Sequence, residues 1–142
     1  MAFQTSEGLL KLIVYVGLRR DGKLLVVDYE TPPNPDKQGW WIPAPELAYG
    51  EDPMERAEKV AAEFGYPDAA GLRLMDVESF TMGEGNWHVI VHYVLDVAAD
   101  PTPGANVRRW QWLPAGGSPG PEGFAHRRWE EGLAQRMLAF GA

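Results

Sequence analysis

Residues 40–66 read WWIPAPELAYGEDPMERAEKVAAEFGY. The second half of this stretch is a helix with both ends marked. Asp52 has the short carboxylate of an N-cap, and Pro53 suits a first helical position, where no N–H is needed. Ala57, Val60, Ala61 and Phe64 recur at helical spacing and form one apolar stripe, which predicts a helix from Pro53 to Phe64 lying on a core. Gly65, with Pro67 just beyond, closes it. Upstream, Trp40–Ile42 reads as a short strand stopped by Pro43 and Pro45, and 46–52 as a loop.

Strands flank this unit. Leu9–Leu18 (LLKLIVYVGL) and Lys23–Tyr29 (KLLVVDY) are joined through Arg19-Arg20-Asp21-Gly22, and Asp-Gly between apolar runs signals a hairpin. Their continuous apolar character fits strands covered on both faces. Thr31–Gly39 is a proline-rich loop. Leu72–Met82, Trp87–Val97 and Val107–Leu113 read as further strands. Glu122–Phe140 reads as a terminal helix, with Ala125, Trp129, Leu133, Met137 and Phe140 on one face. The order predicts one mixed sheet with a helix on each side, in a single domain spanning 1–142.

Composition excludes several classes. The chain has 142 residues, 45% of them apolar, enough for a core without staples. A net charge of -7 argues against nucleic acid and anionic membranes as partners. Small anionic ligands stay open, because a bound divalent metal inverts the local sign. With no Cys there are no disulfides, zinc thiolates or thiol nucleophiles. Met1–Glu7 carries no signal-peptide pattern and no apolar run is of membrane-spanning length, so a cytoplasmic protein is the expectation.

The 40–66 stretch resembles the box of the Nudix (MutT-like) hydrolases, G-x5-E-x7-R-E-U-x-E-E-x-G-U with U apolar, usually preceded by Trp-x-x-Pro-Gly-Gly. The matches are Trp40 or Trp41, Pro43, Gly50-Glu51, Val60, Glu63, Gly65 and Tyr66. The resemblance implies an α/β/α sandwich, its mixed central sheet lying between the box helix and the C-terminal helix. It also implies hydrolysis of nucleoside diphosphates linked to another moiety, a nucleotide-like small-molecule ligand, and a homodimer as a frequent assembly. The other implication is a non-catalytic module that kept the pocket and binds a nucleotide-like ligand or a protein.

The departures bear on the metal. In the family, carboxylates on one helical face hold Mg2+ or Mn2+, which offsets phosphate charge and activates a water. Here Ala44-Pro45 replaces Gly-Gly, and the box is one residue short. Counting back from Gly65, which keeps Val60 and Phe64 buried, puts Lys59 at the first helix glutamate and Ala62 at another. Lys59 would repel a metal and could pair with Glu63, a contact worth about 0.3–0.5 kcal/mol if exposed. Glu51, Glu55 and Glu63 are the substitute metal ligands, with Glu51 and Glu63 as the catalytic pair.

Other candidates lie outside the box. Glu84, in a Gly-flanked turn, is either a base contacting substrate or a simple turn residue. Arg19 and Arg20 could reach a substrate phosphate with a fork that suits its oxygens, or lie at a solvated hairpin end. An exposed Trp40 could stack on a nucleobase; core packing is the commoner use. His88 and His92, four apart on a strand, stand ~13 Å apart at about 3.3 Å per residue and cannot share an ion. They fit sheet positions under the terminal helix. His126, beside Arg127 and Arg128, reads as solvated.

Overall fold

The computed structural model describes residues 2–83 and 85–141. The sheet comprises β1 (Ala2–Gln4), β2 (Leu9–Arg20), β3 (Lys23–Tyr29), β4 (Arg73–Thr81), β5 (Asn86–Asp96) and β6 (Val107–Pro114), with helices α1 (Pro53–Glu63) and α2 (Arg127–Ala139). Strand order is β4-β5-β2-β3-β6, with β1 paired to β2. β2 runs parallel to β5, and the other pairs are antiparallel. This is the mixed sheet between two helices that the element order predicts. β1 has only three residues, too few to carry a periodicity that signals a strand.

One feature positions everything else. β2 and β3 are paired only at Arg19–Leu24 and Arg20–Lys23, around Asp21 and Gly22 at positive φ. Beyond these pairs the hairpin opens into a fork, and the 41–47 segment fills it. Trp41 exchanges both backbone bonds with Val27 of β3, while Leu12, Val14 and Val16 of β2 bond to Leu47, Pro45 and Pro43. At the two prolines the carbonyls accept from Val14 and Val16, and no N–H is available to donate back. That is tolerable at a wedge and costly inside a regular ladder.

Alternation on β2 divides the core. Val14, Val16 and Leu18 pack with Ala57, Val60, Ala61 and Phe64 of α1 and its C-terminal end, the stripe read from the sequence. Tyr15 points to the opposite face, in the cluster that holds Leu133, Ala134 and Met137 of α2. α1 starts on Asp52, whose carboxylate accepts from Glu55 N–H at 3.1 Å. It ends with Tyr66 and Gly65 N–H bonding to Ala61 and Ala62 carbonyls. Gly65 sits at φ 93°, and a Cβ there would lie 2.0 Å from Thr102 Oγ1.

The terminal helix begins at Arg127, five residues later than its periodicity suggests. Residues 123–125 are instead drawn into a bridge with Trp40, through Trp40 N–H to Gly123 and Ala125 N–H to Trp40. The far end of α2 is held by Arg19, one of the substrate-binding candidates. Its guanidinium is buried and donates to the Met137 and Phe140 carbonyls at 2.7 and 2.6 Å, and to Asp96 at 2.8 Å. Arg19 is therefore a helix-terminus clamp with its donors committed.

Replacing Arg19 by Met should lower unfolding free energy by about 2–3 kcal/mol, the scale of lost charge-assisted hydrogen bonds, measured by denaturant titration. The Arg19 contact also holds the Asp96 carboxyl below its ordinary value. A depressed folded-state pKa adds stability above the unfolded value and loses it as pH falls through the folded one. The stability gap between native and Arg19→Met should therefore narrow in acid. Gly65→Ala should cost roughly 1–3 kcal/mol through strain at positive φ.

Candidate functional site

A cleft of about 1270 Å³ opens on the α2 side of the sheet. Its floor is Lys11, Ile13 and Tyr15 of β2, His88 and Ile90 of β5, and Phe80 of β4. Alternate residues of adjacent strands share a face, so the register sets this floor directly. The proline-rich 33–38 loop forms one wall, Ala44 and Glu46 of the wedge another, and Ala125–Arg127 with Trp129 a third. Aromatic rings dominate the interior. Phe80 and His88 stack at 5.5 Å with planes 3° apart, and Tyr15 meets Trp129 edge-on at 5.2 Å.

The polar groups here carry net unmet capacity. Trp41 Nε1 and His88 Nδ1, on two residues of the lining, are buried without a hydrogen-bond partner in the protein. Buried polar atoms of this kind are normally satisfied by a ligand or water. Lys11, Lys37 and Arg127 supply positive charge, and Lys11 faces Glu46 at 3.8 Å. Burial first, then the Lys11 and His126 charges, push the His88 imidazole below its ordinary pKa.

The box helix presents a closed ladder of ion pairs. Lys59 Nζ lies 3.4 Å from Glu51, and Arg56 lies 3.8 Å from both Glu51 and Glu63. Arg56, Lys59 and Glu63 stand at i, i+3 and i+7, hence on one face. Lys59 thus pairs with Glu51, where the sequence suggests Glu63. The Ala48 N–H, with Lys59 and Arg56, holds the Glu51 carboxyl below its ordinary value against the opposing effect of partial burial. Glu55 is exposed in the first turn.

The remaining sequence candidates are dispersed. Arg20 pairs with Asp100 at 2.8 Å at the hairpin end, outside the cleft. Trp40 is buried, its ring covered by the Arg109 guanidinium at 4.9 Å, so no face is open to a base. Its neighbour Trp41 is the one that reaches the cleft. Glu84 lies outside the described residues. His92 is fully buried beside Trp129, under α2 as expected, and contacts Asp76. His126 is not simply solvated: its ring nitrogen Nδ1 faces Glu130 at 2.7 Å.

One cluster escapes sequence reading. Asp76, Glu78 and His92 bring ligand atoms within 4.8 Å of one another, the single such group of three among the described residues. Strand pairing assembles it, since Asp76 lies opposite His92 and Glu78 opposite Ile90. A cation already serves it: Arg136 donates to Asp76 at 2.9 Å and to Glu78.

No family model and no curated protein matches the sequence. Solved structures do. A MutT/nudix family protein from Enterococcus faecalis superposes with TM-score 0.68 at 14% identity, over 94% of this chain and 62% of that one. An Ap4A hydrolase from C. elegans, solved as a binary complex, gives 0.62 at 16%, over 90% and 96%. A MutT NUDIX hydrolase from Burkholderia pseudomallei gives 0.61 at 18%, over 90% and 97%. The chain has the Nudix hydrolase fold.

Hydrolases of this fold imply a divalent ion, which needs several oxygens converging on one point. The box helix does not fit that requirement. Glu51, Glu55 and Glu63 do not converge as one ligand group. Two of the three already serve Arg56 and Lys59. The third stands alone in the first turn. Calorimetric titration with millimolar Mg2+ or Mn2+ should therefore show no binding at this helix. Lys59→Glu removes one cation and adds a carboxylate; it should create measurable affinity that Glu51→Gln in the same background abolishes.

Proposed function

We propose that this chain is a hydrolase of small phosphoanhydrides, nucleoside diphosphates linked to another moiety, which it takes into the cleft on the α2 side of its sheet. The observation that carries this is the cleft itself. It is large enough to take a nucleotide, floored by aromatic rings that suit a base, bordered by Lys11, Lys37 and Arg127 that suit phosphates with Asp36 and Glu46 beside them, and lined by unmet hydrogen-bonding atoms. Ligand sites are commonly concavities of this kind, apolar with a few convergent polar groups. The fold likeness to proteins described as hydrolases supports the reaction class. Because Glu51 and Glu63 face Arg56 and Lys59, any magnesium enters with the substrate's own phosphates.

A second reading rests on that same ion-pair ladder: the cleft binds a nucleotide-like ligand without cleaving it. A panel of nucleoside diphosphate conjugates, assayed with Mg2+ for both binding and phosphate-ester release, separates the two. Release of a nucleoside monophosphate supports hydrolysis. Saturable binding without release supports the second reading, and absence of binding across the panel removes both. Trp129→Ala should weaken binding by roughly 10-fold or more, since a base–aromatic contact contributes about 1–3 kcal/mol.

A further inference from the structure

Glu130 is fully buried, and a buried carboxylate needs partners. Its Oε2 accepts the Ile42 N–H at 3.3 Å, and its Oε1 accepts the His126 N–H at 2.6 Å. The Ile42 bond staples α2 to the wedge, and the His126 N–H bond closes the start of the helix. The third contact, His126 Nδ1 at 2.7 Å from Oε1, is additional. When Nδ1–H donates a hydrogen bond to the carboxylate, the neutral ring carries its lone pair on Nε2. Nε2 has no partner among the described residues. The ring lines the cleft with its side chain 28% exposed. Trp41 holds it edge-on at 4.9 Å and Trp129 at 6.4 Å. The next residue, Arg127, sits at φ 54°, a conformation unusual for a long side chain and one found disproportionately where function demands it.

We propose that His126 is the proton-accepting catalytic residue of the cleft, with Glu130 as its positioning residue. The assignment rests on the hydrolase reading above. Nε2 takes a proton from water while the water oxygen bonds to a phosphorus of the anhydride. The bridging P–O bond breaks, its electron pair leaves with the departing phosphate, and the imidazolium returns the proton to that group or to solvent. The Glu130 carboxylate faces the positive charge that forms, and no metal-bound water is invoked. The charged and titratable groups around the cleft are Glu130 on its own helix, Lys11 and Tyr15 from β2, His88 from β5, Glu46 from the wedge, Asp36 and Lys37 from the loop wall, and Arg127, with Arg128 next in sequence.

The test compares the native protein with His126→Asn and Glu130→Gln on a hydrolysed conjugate, with melting curves as the folding control. Asn retains a side-chain N–H for Glu130, so fold is kept while Nε2 is lost. His126→Asn should lower kcat about 100- to 10,000-fold with KM nearly unchanged, and should erase the acid limb of the pH–rate profile. Glu130→Gln should displace that limb, and nitrogen NMR of the native ring should show the Nδ1–H tautomer, which Glu130→Gln redistributes. A purely structural pair would leave the pH limb unmoved. Native-like kcat and pH profile in His126→Asn overturn the assignment alone. Binding without hydrolysis by the native protein overturns it and leaves the binding reading; neither binding nor hydrolysis overturns both.

Discussion

The fork between β2 and β3 is the constraint on which the structure turns. Two strands joined by a tight hairpin ordinarily pair along their length. Here they separate after two residue pairs, and the exposed backbone groups must find other partners or pay for desolvation. The 41–47 wedge supplies them, yet a segment with two prolines is a poor ladder partner. It needs holding from outside the sheet. Buried Glu130 does this through Ile42, and the 123–125 bridge does it through Trp40. One carboxylate thereby ties the sheet, the wedge and α2 together, and the cleft opens where those three meet.

Electrostatics explains why a helix rich in carboxylates is a poor metal site in this chain. Glu51, Asp52, Glu55, Glu58 and Glu63 lie within the box against Arg56 and Lys59 alone. The excess negative charge would suit a divalent ion if the side chains converged. The two cations instead lie in the middle of the face, where their charge opposes that of a metal ion and they face Glu51 and Glu63 at 3.4–3.8 Å. The same balance recurs at Asp76 and Glu78, where Arg136 takes the place of an ion. The cleft on the other face of the sheet sets Lys11, Lys37 and Arg127 beside Asp36 and Glu46, around a floor of aromatic rings.

Local signals made most of the framework legible. Asp-Gly announced the hairpin, Asp52-Pro53 and Gly65 bounded α1, and the stripe from Ala57 to Phe64 named its buried face. Each of these is decided by nearest neighbours or by one helical turn. The Trp-x-x-Pro and Gly-Glu context added the fold. Failures came where distant segments compete. The periodicity of Glu122–Phe140 is genuine, but residues 123–125 gain more from pairing with Trp40 than from an extra helical turn. Arg19 reads as a hairpin-end charge until α2 brings its last carbonyls within reach.

The site divides along the same line. Sequence alone determined that this chain folds as a mixed sheet between two helices, that it carries a box-like loop and helix, and that Lys59 intrudes among the glutamates. Those features depend on turn chemistry, spacing and residue type, which act over a few residues. Only the tertiary structure decided that Lys59 reaches Glu51, that Trp41 and not Trp40 borders the cleft, and that His126 is held by a buried carboxylate. These depend on which strand faces lie together and on where α2 begins.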